Sequence, residues 1–322
     1  MTEPGAPGRP LGGGEPSSPA SRPALLPSAI DPTVFDESFL RQLERLLLVT
    51  RRPVRGGLKG VRRSTKRGIS VEFADYRDYA LGDDLRQLDW NIYARLERLF
   101  IKLFIEEEDV TVHILVDASA SMDIGAPNKL LFAKRAAAAL AYVGLASYDR
   151  VSMAVLQGRV ARRFPAVRGK GRIFQVMADL SRTHAAEGST DLHAAARHYA
   201  AQLRARGPLI LISDLFDPGA AQAIGELAGT RCEVVVLHVL APDEIDPPLA
   251  GELRLLDAET AGGVDITADL GTLDAYKRRL TAWREELEQA SAKRRAAYVP
   301  VDSTLPLADL VFAELRRRRV LA

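Results

Sequence analysis

Two patterns of apolar and polar residues alternate along most of the chain. Five short and almost wholly apolar runs predict strands at 111–119, 149–157, 208–214, 233–240 and 296–302. In the stretches between them apolar residues recur every three or four positions, which predicts helices at about 128–147, 172–182, 190–206, 218–228, 272–295 and 306–319. Apolar strands that alternate with amphipathic helices indicate an α/β fold, with a mainly parallel sheet covered on both faces by helices.

Three segments fall outside this alternation. Residues 1–34 are rich in Pro, Gly and Ser, which predicts a disordered tail. Residues 35–108 form an accessory region, which starts with the helical pattern "DESFLRQLERLLLV" and contains the strand-like run "LFIKLFIEE". Within the α/β domain, predicted at 109–322, the segment "ELRLLDAETAGGVDITADL" has two strand-like runs around a Thr-Ala-Gly-Gly turn. That segment predicts a hairpin inserted near 250–270.

Charge is distributed unevenly along the chain. The formal net charge is +2 over 322 residues, but residues 41–70 contain ten Lys or Arg and one acidic residue, Glu44. A basic block at 51–67 can attract nucleic acid or anionic lipid without sequence specificity. Regularly interleaved aromatic residues and known nucleic-acid-binding motifs do not accompany it, so a solvated face or a protein-docking patch is the favoured interpretation.

The chain has one cysteine, Cys232, in an apolar run, which excludes an intrachain disulfide and favours a buried, unreactive thiol. The sequence contains no signal-peptide pattern, and its most apolar helical candidate, at 136–148, is too short to span a bilayer. We therefore expect a cytoplasmic protein without a transmembrane segment.

Oxygen-bearing side chains are concentrated where predicted strands end. In "HILVDASASMD", residues 113–123, a buried strand ends in Asp117 and is followed by Ser119 and Ser121. Asp214 ends another strand, and Thr190 lies where a helix begins. Loops at the carboxyl ends of parallel strands converge, and a set of carboxylates and hydroxyls without His or Cys suits a hard cation such as Mg²⁺ or Mn²⁺.

The same residue types also have ordinary structural roles. Asp and Ser after a strand can cap backbone amides in a turn, and Asp123 and Asp191 can cap helices. Ser189 and Ser213 are expected to bond the local backbone. The segment "GDDLRQLDWNIYAR" at 82–95 suits either a hydrogen-bonded structural clasp, which is favoured, or a partner surface.

The five oxygen-bearing residues resemble the metal-ion-dependent adhesion site of von Willebrand factor A domains: Asp117, Ser119 and Ser121 as Asp-x-Ser-x-Ser, then Thr190, then Asp214. The upstream stretch "GLKGVRRSTKRGISVEFADYRDYALGDDLRQLDWNIYAR" is similar to the bacterial family called domain of unknown function 58. This resemblance implies a von Willebrand factor A-like (Rossmann-like) fold and a metal site made by those five residues. It also implies an association with MoxR-type AAA+ ATPases.

These features lead to the hypothesis of a metal-dependent protein-interaction module that is not an enzyme. An Asp or Glu from a partner, a MoxR-type ATPase or its client, would bind the open position of the cation. The alternative is a metal-dependent hydrolase or phosphatase that uses the same cation. The interaction module is favoured because the sequence has no phosphate-binding loop, nucleophile elbow or dinucleotide fingerprint.

Overall fold

The computed structural model describes residues 30–50, 72–80, 83, 85, 88–105, 111–186, 190–257, 259 and 262–311. The helices are α1 (Glu37–Thr50), α2 (Trp90–Leu96), α3 (Lys129–Ala146), α4 (Ile173–Ser181), α5 (Leu192–Gln202), α6 (Ala220–Ala228), α7 (Pro242–Ile245), α8 (Leu270–Lys293) and α9 (Leu307–Asp309). The strands are β1 (Glu72–Asp78), β2 (Phe100–Ile105), β3 (Thr111–Asp117), β4 (Arg150–Gln157), β5 (Val160–Arg163), β6 (Val167–Arg168), β7 (Pro208–Ser213), β8 (Glu233–Leu240), β9 (Gly251–Leu256), β10 (Gly263–Ala268) and β11 (Ala297–Asp302).

The main sheet has seven strands in the order β11-β8-β7-β3-β4-β5, and β6 also pairs with β4. The five predicted strands, β3, β4, β7, β8 and β11, all pair in parallel. The short strands β5 and β6 pair antiparallel to β4. The predicted α/β fold with a mainly parallel sheet is therefore confirmed.

Strand β3 lies at the centre of this sheet and has helices on both faces. Ile114 and Val116 point into one apolar core, which also contains buried residues of α1, α3 and α4. Leu115, between them, points into a second core, with buried residues of α5, α6 and α8. Strand β3 is apolar throughout because successive side chains enter two different cores.

The order of the strands reverses at β3. The chain moves from β3 to β4 on one side of it, whereas β7, β8 and β11 lie on the other side. A reversal of this kind leaves a crevice beyond the carboxyl ends of the two strands where the direction changes. Asp117 ends β3 and Asp214 directly follows β7, so both carboxylates lie beside that crevice.

The accessory region contributes to the main core as well as forming its own small sheet. Phe35, Phe39 and Leu43 are buried in the core that contains α3. Strands β1 and β2 form a separate antiparallel pair, and helix α2 lies between them in sequence. The pattern of apolar residues does not predict α2 because this helix has no buried residue. It begins instead at its cap, Asp89, whose carboxylate accepts bonds from the amides of Asn91 and Ile92.

Some predictions fall on residues outside the described ranges. They include the basic block at 51–67, the tail up to residue 29, and the end of the last predicted helix after residue 311. Within the last part of the predicted tail, Ile30 and Val34 are buried against the main core. Among the described helices, none combines the length and apolar character that crossing a membrane requires.

Candidate metal site

Asp117 is the buried carboxylate at the end of β3, and both of its oxygens accept hydrogen bonds. Oδ1 accepts a bond of 2.9 Å from the amide of Ser119. Oδ2 accepts a bond of 2.5 Å from the hydroxyl of Ser213, the last residue of β7. Ser213 Oγ also accepts a bond from the amide of Leu215, so its local backbone role is present together with a contact to Asp117. These bonds tie the ends of two neighbouring strands together.

Ser119 and Ser121 lie in the loop that follows β3, where a short 3-10 helix runs from Ala120 to Asp123. Their hydroxyl oxygens are 3.0 Å apart, and Ser119 is buried. Asp123, in contrast, is exposed and accepts a bond from the side chain of Asn128. The loop therefore turns two hydroxyls towards each other and leaves Asp123 outside.

Asp214 follows β7 and is almost wholly buried. Its Oδ1 accepts a bond from the amide of Phe216, and its Oδ2 lies 2.6 Å from the ammonium group of Lys129. Leu215, between them, has a φ of 57°, a left-handed conformation that is uncommon for a residue with a branched side chain. This turn holds Asp214 at the crevice.

Lys129 and Glu244 belong to the site, although the sequence analysis did not identify them. Lys129 is the first residue of α3 and is fully buried. Its ammonium group bonds Asp214 and also Glu244 Oε1 of α7, at 2.5 Å. A buried lysine at the positive end of a helix dipole is unfavourable without acidic partners. The sequence did contain one indication that Lys129 is buried: it follows the helix cap Asn128 and lies in the apolar pattern of α3.

Thr190 precedes α5, and its hydroxyl oxygen is buried without a hydrogen-bond partner in the part of the chain that the structure describes. Its amide donates a bond of 3.1 Å to Glu259 Oε2, from the turn between β9 and β10. The next residue, Asp191, caps α5 by accepting a bond from the amide of Ala194. A buried hydroxyl without a partner is costly, so Thr190 Oγ1 is the atom of this site that lacks a structural explanation.

We call the five predicted residues, Asp117, Ser119, Ser121, Thr190 and Asp214, the oxygen cluster. Hydrogen bonds join Asp117, Ser119 and Ser121, and the charge of Asp214 acts on Asp117. Thr190 is linked to this group through Glu259, on which the charge of Asp214 also acts. Burial, and next the negative charge of Asp214, raise the pKa of Asp117 to about 7. Burial also raises the pKa of Glu244, where Lys129 opposes the shift, and of Glu259, where the charge of Asp214 adds to it. Among the described residues at or beside the cluster, the ammonium group of Lys129 bonds two carboxylates, those of Asp214 and Glu244.

The donor chemistry fits a hard cation. The cluster offers two carboxylates and three hydroxyls, and an excess of negative charge surrounds it. Among the described residues, no three His, Cys, Asp or Glu side chains form a group suited to hold a metal. A cation at this site would therefore depend on hydroxyl oxygens and on water, which Mg²⁺ retains readily.

An aromatic stack connects the site to α8. Phe216, two residues after Asp214, stacks on Trp283 with ring centroids 5.0 Å apart and planes 9° from parallel. The Lys129 ammonium lies 5.1 Å from the centroid of the Phe216 ring. A change in the position of Asp214 or Lys129 would therefore shift Phe216 and alter the surroundings of the Trp283 ring.

The segment at 82–95 forms a clasp in the part of it that the structure describes. The Asp89 carboxylate caps α2 and also accepts a bond of 3.0 Å from the hydroxyl of Tyr76. Both oxygens of Asp83 accept bonds of 2.9 Å from the Arg77 guanidinium group. Asp84 and Arg86 lie outside the described residues. The favoured interpretation, a structural clasp, agrees with these bonds.

The histidines and the cysteine lie outside the oxygen cluster, although His238 is hydrogen-bonded to the backbone of Asp214. His113 bonds Tyr199 at 2.9 Å and His238 bonds Tyr298, in both cases through the ring Nδ1. Cys232 is half-buried, and burial raises the pKa of its thiol. A raised thiol pKa reduces the fraction of the reactive thiolate.

Comparison with known proteins gives a family match and several relatives. The family model described as protein of unknown function DUF58 matches residues 75–286. An uncharacterized protein of Mycobacterium tuberculosis H37Rv, Rv1480, is 26% identical over 302 residues, which cover 92% of this chain and 95% of that protein. A second uncharacterized protein, MAV169 of Mycobacterium avium, is 30% identical over 122 residues, which cover 37% of this chain and 72% of that protein.

Solved structures also align with this chain. The conserved hypothetical protein BatB from Bacteroides thetaiotaomicron aligns with a TM-score of 0.40 and 20% identity, over 66% of this chain and 99% of that chain. An aerotolerance-related membrane protein from Bacteroides fragilis aligns with a TM-score of 0.41 and 21% identity, over 65% of this chain and 99% of that chain.

Proposed function

The chain belongs to the DUF58 family, and we propose that it is a metal-dependent protein-interaction module whose oxygen cluster holds Mg²⁺ or Mn²⁺. In this proposal the domain is of the von Willebrand factor A type, and Asp117, Ser119, Ser121, Thr190 and Asp214 form a metal-ion-dependent adhesion site. The bound cation would supply a positively charged open position that accepts a carboxylate from a partner protein.

The observation that supports this proposal most strongly is the hydroxyl of Thr190. Its oxygen is buried and has no hydrogen-bond partner among the described residues, although Asp117, Ser119 and Asp214 have theirs. A bound ion or water would give this oxygen a partner. The negative charge around it favours a cation as that partner.

The protein's own groups prepare the site for this role. Ser213 and the Ser119 amide hold the Asp117 carboxylate in place, and Lys129 holds Asp214. Two of the five donors are carboxylates, which balance the charge of a divalent cation, and a further carboxylate from a partner would complete its coordination.

The proposed partner is a MoxR-type AAA+ ATPase or its client. This choice comes from the resemblance to von Willebrand factor A-like proteins of the DUF58 family. The chemical requirement on the partner is an accessible Asp or Glu side chain that can reach the crevice between β3 and β7.

The first experiment measures binding of Mn²⁺ to the purified chain by calorimetry. We expect one site per chain, which Asp117→Ala removes and Ser121→Ala weakens. Asp123→Ala is the matched control, because Asp123 lies in the same loop but is exposed and outside the oxygen cluster. Ser121→Ala removes only one hydroxyl, so it tests the site even if Asp117→Ala fails to fold.

The second experiment measures association with the MoxR-type ATPase of the same organism, in Mg²⁺ and in EDTA. We expect association in Mg²⁺ that is lost in EDTA and in Asp117→Ala, and retained in Asp123→Ala. Association that persists both in EDTA and in Asp117→Ala would overturn the metal-bridged interaction.

A further inference from the structure

The inserted hairpin places a carboxylate of the chain itself at the oxygen cluster. Strands β9 and β10 pair antiparallel from Gly251–Ala268 to Leu256–Gly263. Beyond the last pair, the amide of Asp257 bonds the carbonyl of Gly262 at 2.7 Å. The amide of Glu259 bonds the Asp257 side chain at 2.9 Å. These two bonds connect Asp257, Glu259 and Gly262, the described residues between the two strands.

Glu259 reaches the site although it is far from it in sequence. Its Oε2 accepts the bond from the amide of Thr190, 69 residues away. This is the same residue whose hydroxyl is buried without a partner. Glu259 is thus bonded to the backbone of a proposed cation ligand, at the side of the cluster that the loop before α5 forms.

Apolar packing does not account for this placement. The residues of β9 are almost all exposed, and in β10 only Ala268, at the base of the hairpin, is buried. An isolated two-stranded hairpin is marginally stable in water. Contacts of its turn therefore matter for where the hairpin lies, and Glu259 provides one of them.

Burial and neighbouring acidic residues disfavour an ionised carboxylate at this position. The charges of Asp214 and Asp217 act against the ionised form of Glu259, whereas the bond from the Thr190 amide favours it. Among the described residues, no Lys or Arg forms an ion pair with it. A carboxylate turned towards other carboxylates is stabilised when a cation lies between them.

From this geometry we propose that Glu259 becomes a cation ligand when the metal binds, and closes the open position of the site from within the chain. The described carboxylates do not form a ready-made metal group, so Glu259 would move onto the cation together with the hairpin turn. The inference rests on the proposed metal site and adds a residue to it. It also defines the chemistry of the partner, since an incoming Asp or Glu must take the position that Glu259 holds. The hairpin would then be the element that moves when a partner binds.

The test uses the full-length chain and Mn²⁺ alone, with two readouts. The first is the Mn²⁺ affinity of Glu259→Gln, which keeps the size of the side chain and its acceptor oxygen but removes the charge. We expect a loss of about tenfold or more, since even outer-sphere partners of metal ligands contribute that much. The second readout is hydrogen exchange in the β9–β10 hairpin, which Mn²⁺ should slow in the natural chain and leave unchanged in Glu259→Gln.

Glu252→Gln is the matched control, because it removes the same charge from an exposed position at the base of the same hairpin. It should keep both the affinity and the protection by Mn²⁺. Equal Mn²⁺ affinity in Glu259→Gln and the natural chain, together with no effect of Mn²⁺ on hairpin exchange, would overturn the role of Glu259 while leaving the metal site intact. Absence of Mn²⁺ binding by the natural chain would overturn both proposals.

Discussion

The Lys129 ammonium lies 2.6 Å from Asp214 Oδ2, and neither side chain is more than 1% exposed. Lys129 is also the first residue of α3, at the end of the helix where the dipole disfavours a cation. The pair with Asp214, and the bond to Glu244 on the other side, offset that cost. The buried ammonium group of Lys129 is therefore a fixed positive charge next to the proposed cation site.

The first prediction concerns the loss of this charge. Lys129→Met removes the partner of the buried Asp214 and the partly buried Glu244, so we expect the free energy of unfolding to fall by about 3 kcal/mol in EDTA. Because a divalent cation would supply positive charge next to Asp214, Mg²⁺ should restore part of the loss. Urea unfolding in EDTA and in Mg²⁺ measures both effects.

The control for this prediction is Lys277→Met. Lys277 pairs with Asp246 at 2.6 Å, but both side chains are largely exposed. Surface ion pairs contribute little, so this variant should unfold close to the natural chain. An equal loss in the two variants would show that the buried position of Lys129 has no special importance.

The second prediction separates a ligand from a structural hydroxyl at Thr190. Thr190→Val keeps the shape of the side chain and removes a buried oxygen that has no hydrogen-bond partner. In EDTA we expect the free energy of unfolding to stay the same or rise by up to about 1 kcal/mol. Mn²⁺ affinity should fall in Thr190→Val and persist in Thr190→Ser, which keeps the hydroxyl. A structural role would instead make Thr190→Val less stable in EDTA.

The third prediction uses the aromatic stack as a reporter. The chain has two tryptophans, and Trp283 stacks on Phe216, whose amide bonds the Asp214 carboxylate. Cation binding at the cluster should therefore change tryptophan emission, with the same midpoint as calorimetry gives. Trp90→Phe should keep this change, since Trp90 is exposed on α2, and Trp283→Phe should remove it. A signal that follows Trp90 would contradict the proposed location of the cation.

The fourth prediction concerns His113, on the opposite half of β3 from Asp117. Burial, and next the charge of Arg163, lower the pKa of this histidine from 6.5 to about 4. The unfolded chain binds a proton between these values and the folded chain does not, so stability falls as the pH decreases through that range. The shift corresponds to about 3 kcal/mol in total.

His113→Asn should flatten this part of the dependence of unfolding free energy on pH. His184→Asn, which replaces an exposed histidine, serves as the control and should leave the slope unchanged. Thermal or urea unfolding between pH 4 and 7 measures the slopes, and equal slopes in the natural chain and His113→Asn would contradict the assignment.

The sheet could be predicted from the sequence because each of its parallel strands is buried on both faces. Leu115, Ile114 and Val116 must all be apolar, since they enter two cores, and such runs are conspicuous. Helix α2 lacks this signal because it buries no side chain, and its start depends on the Asp89 cap alone. The short strands β5 and β6 were not predicted because they also bury few side chains.

The candidate site was predictable only in part. Asp117, Ser119, Ser121 and Asp214 follow strands directly, so the rule for parallel sheets brings them to one edge. Lys129 and Glu259 come from a helix start and a hairpin turn, and no periodicity connects either of them to β3. Their positions depend on tertiary packing, which the pattern of residues along the chain does not contain.

The last prediction combines the metal site with its internal ligand. At saturating Mn²⁺, Glu259→Gln should bind the acidic partner more tightly than the natural chain does, although it binds Mn²⁺ more weakly. The reason is that Glu259 competes with the partner's carboxylate. If Glu259 leaves the open position of the cation free in about a tenth of the molecules, its removal improves the apparent affinity for the partner by about tenfold. Glu252→Gln should change neither affinity. A variant in which metal and partner affinity fall together would instead make Glu259 a contributor to partner binding, because only a competitor produces effects of opposite sign.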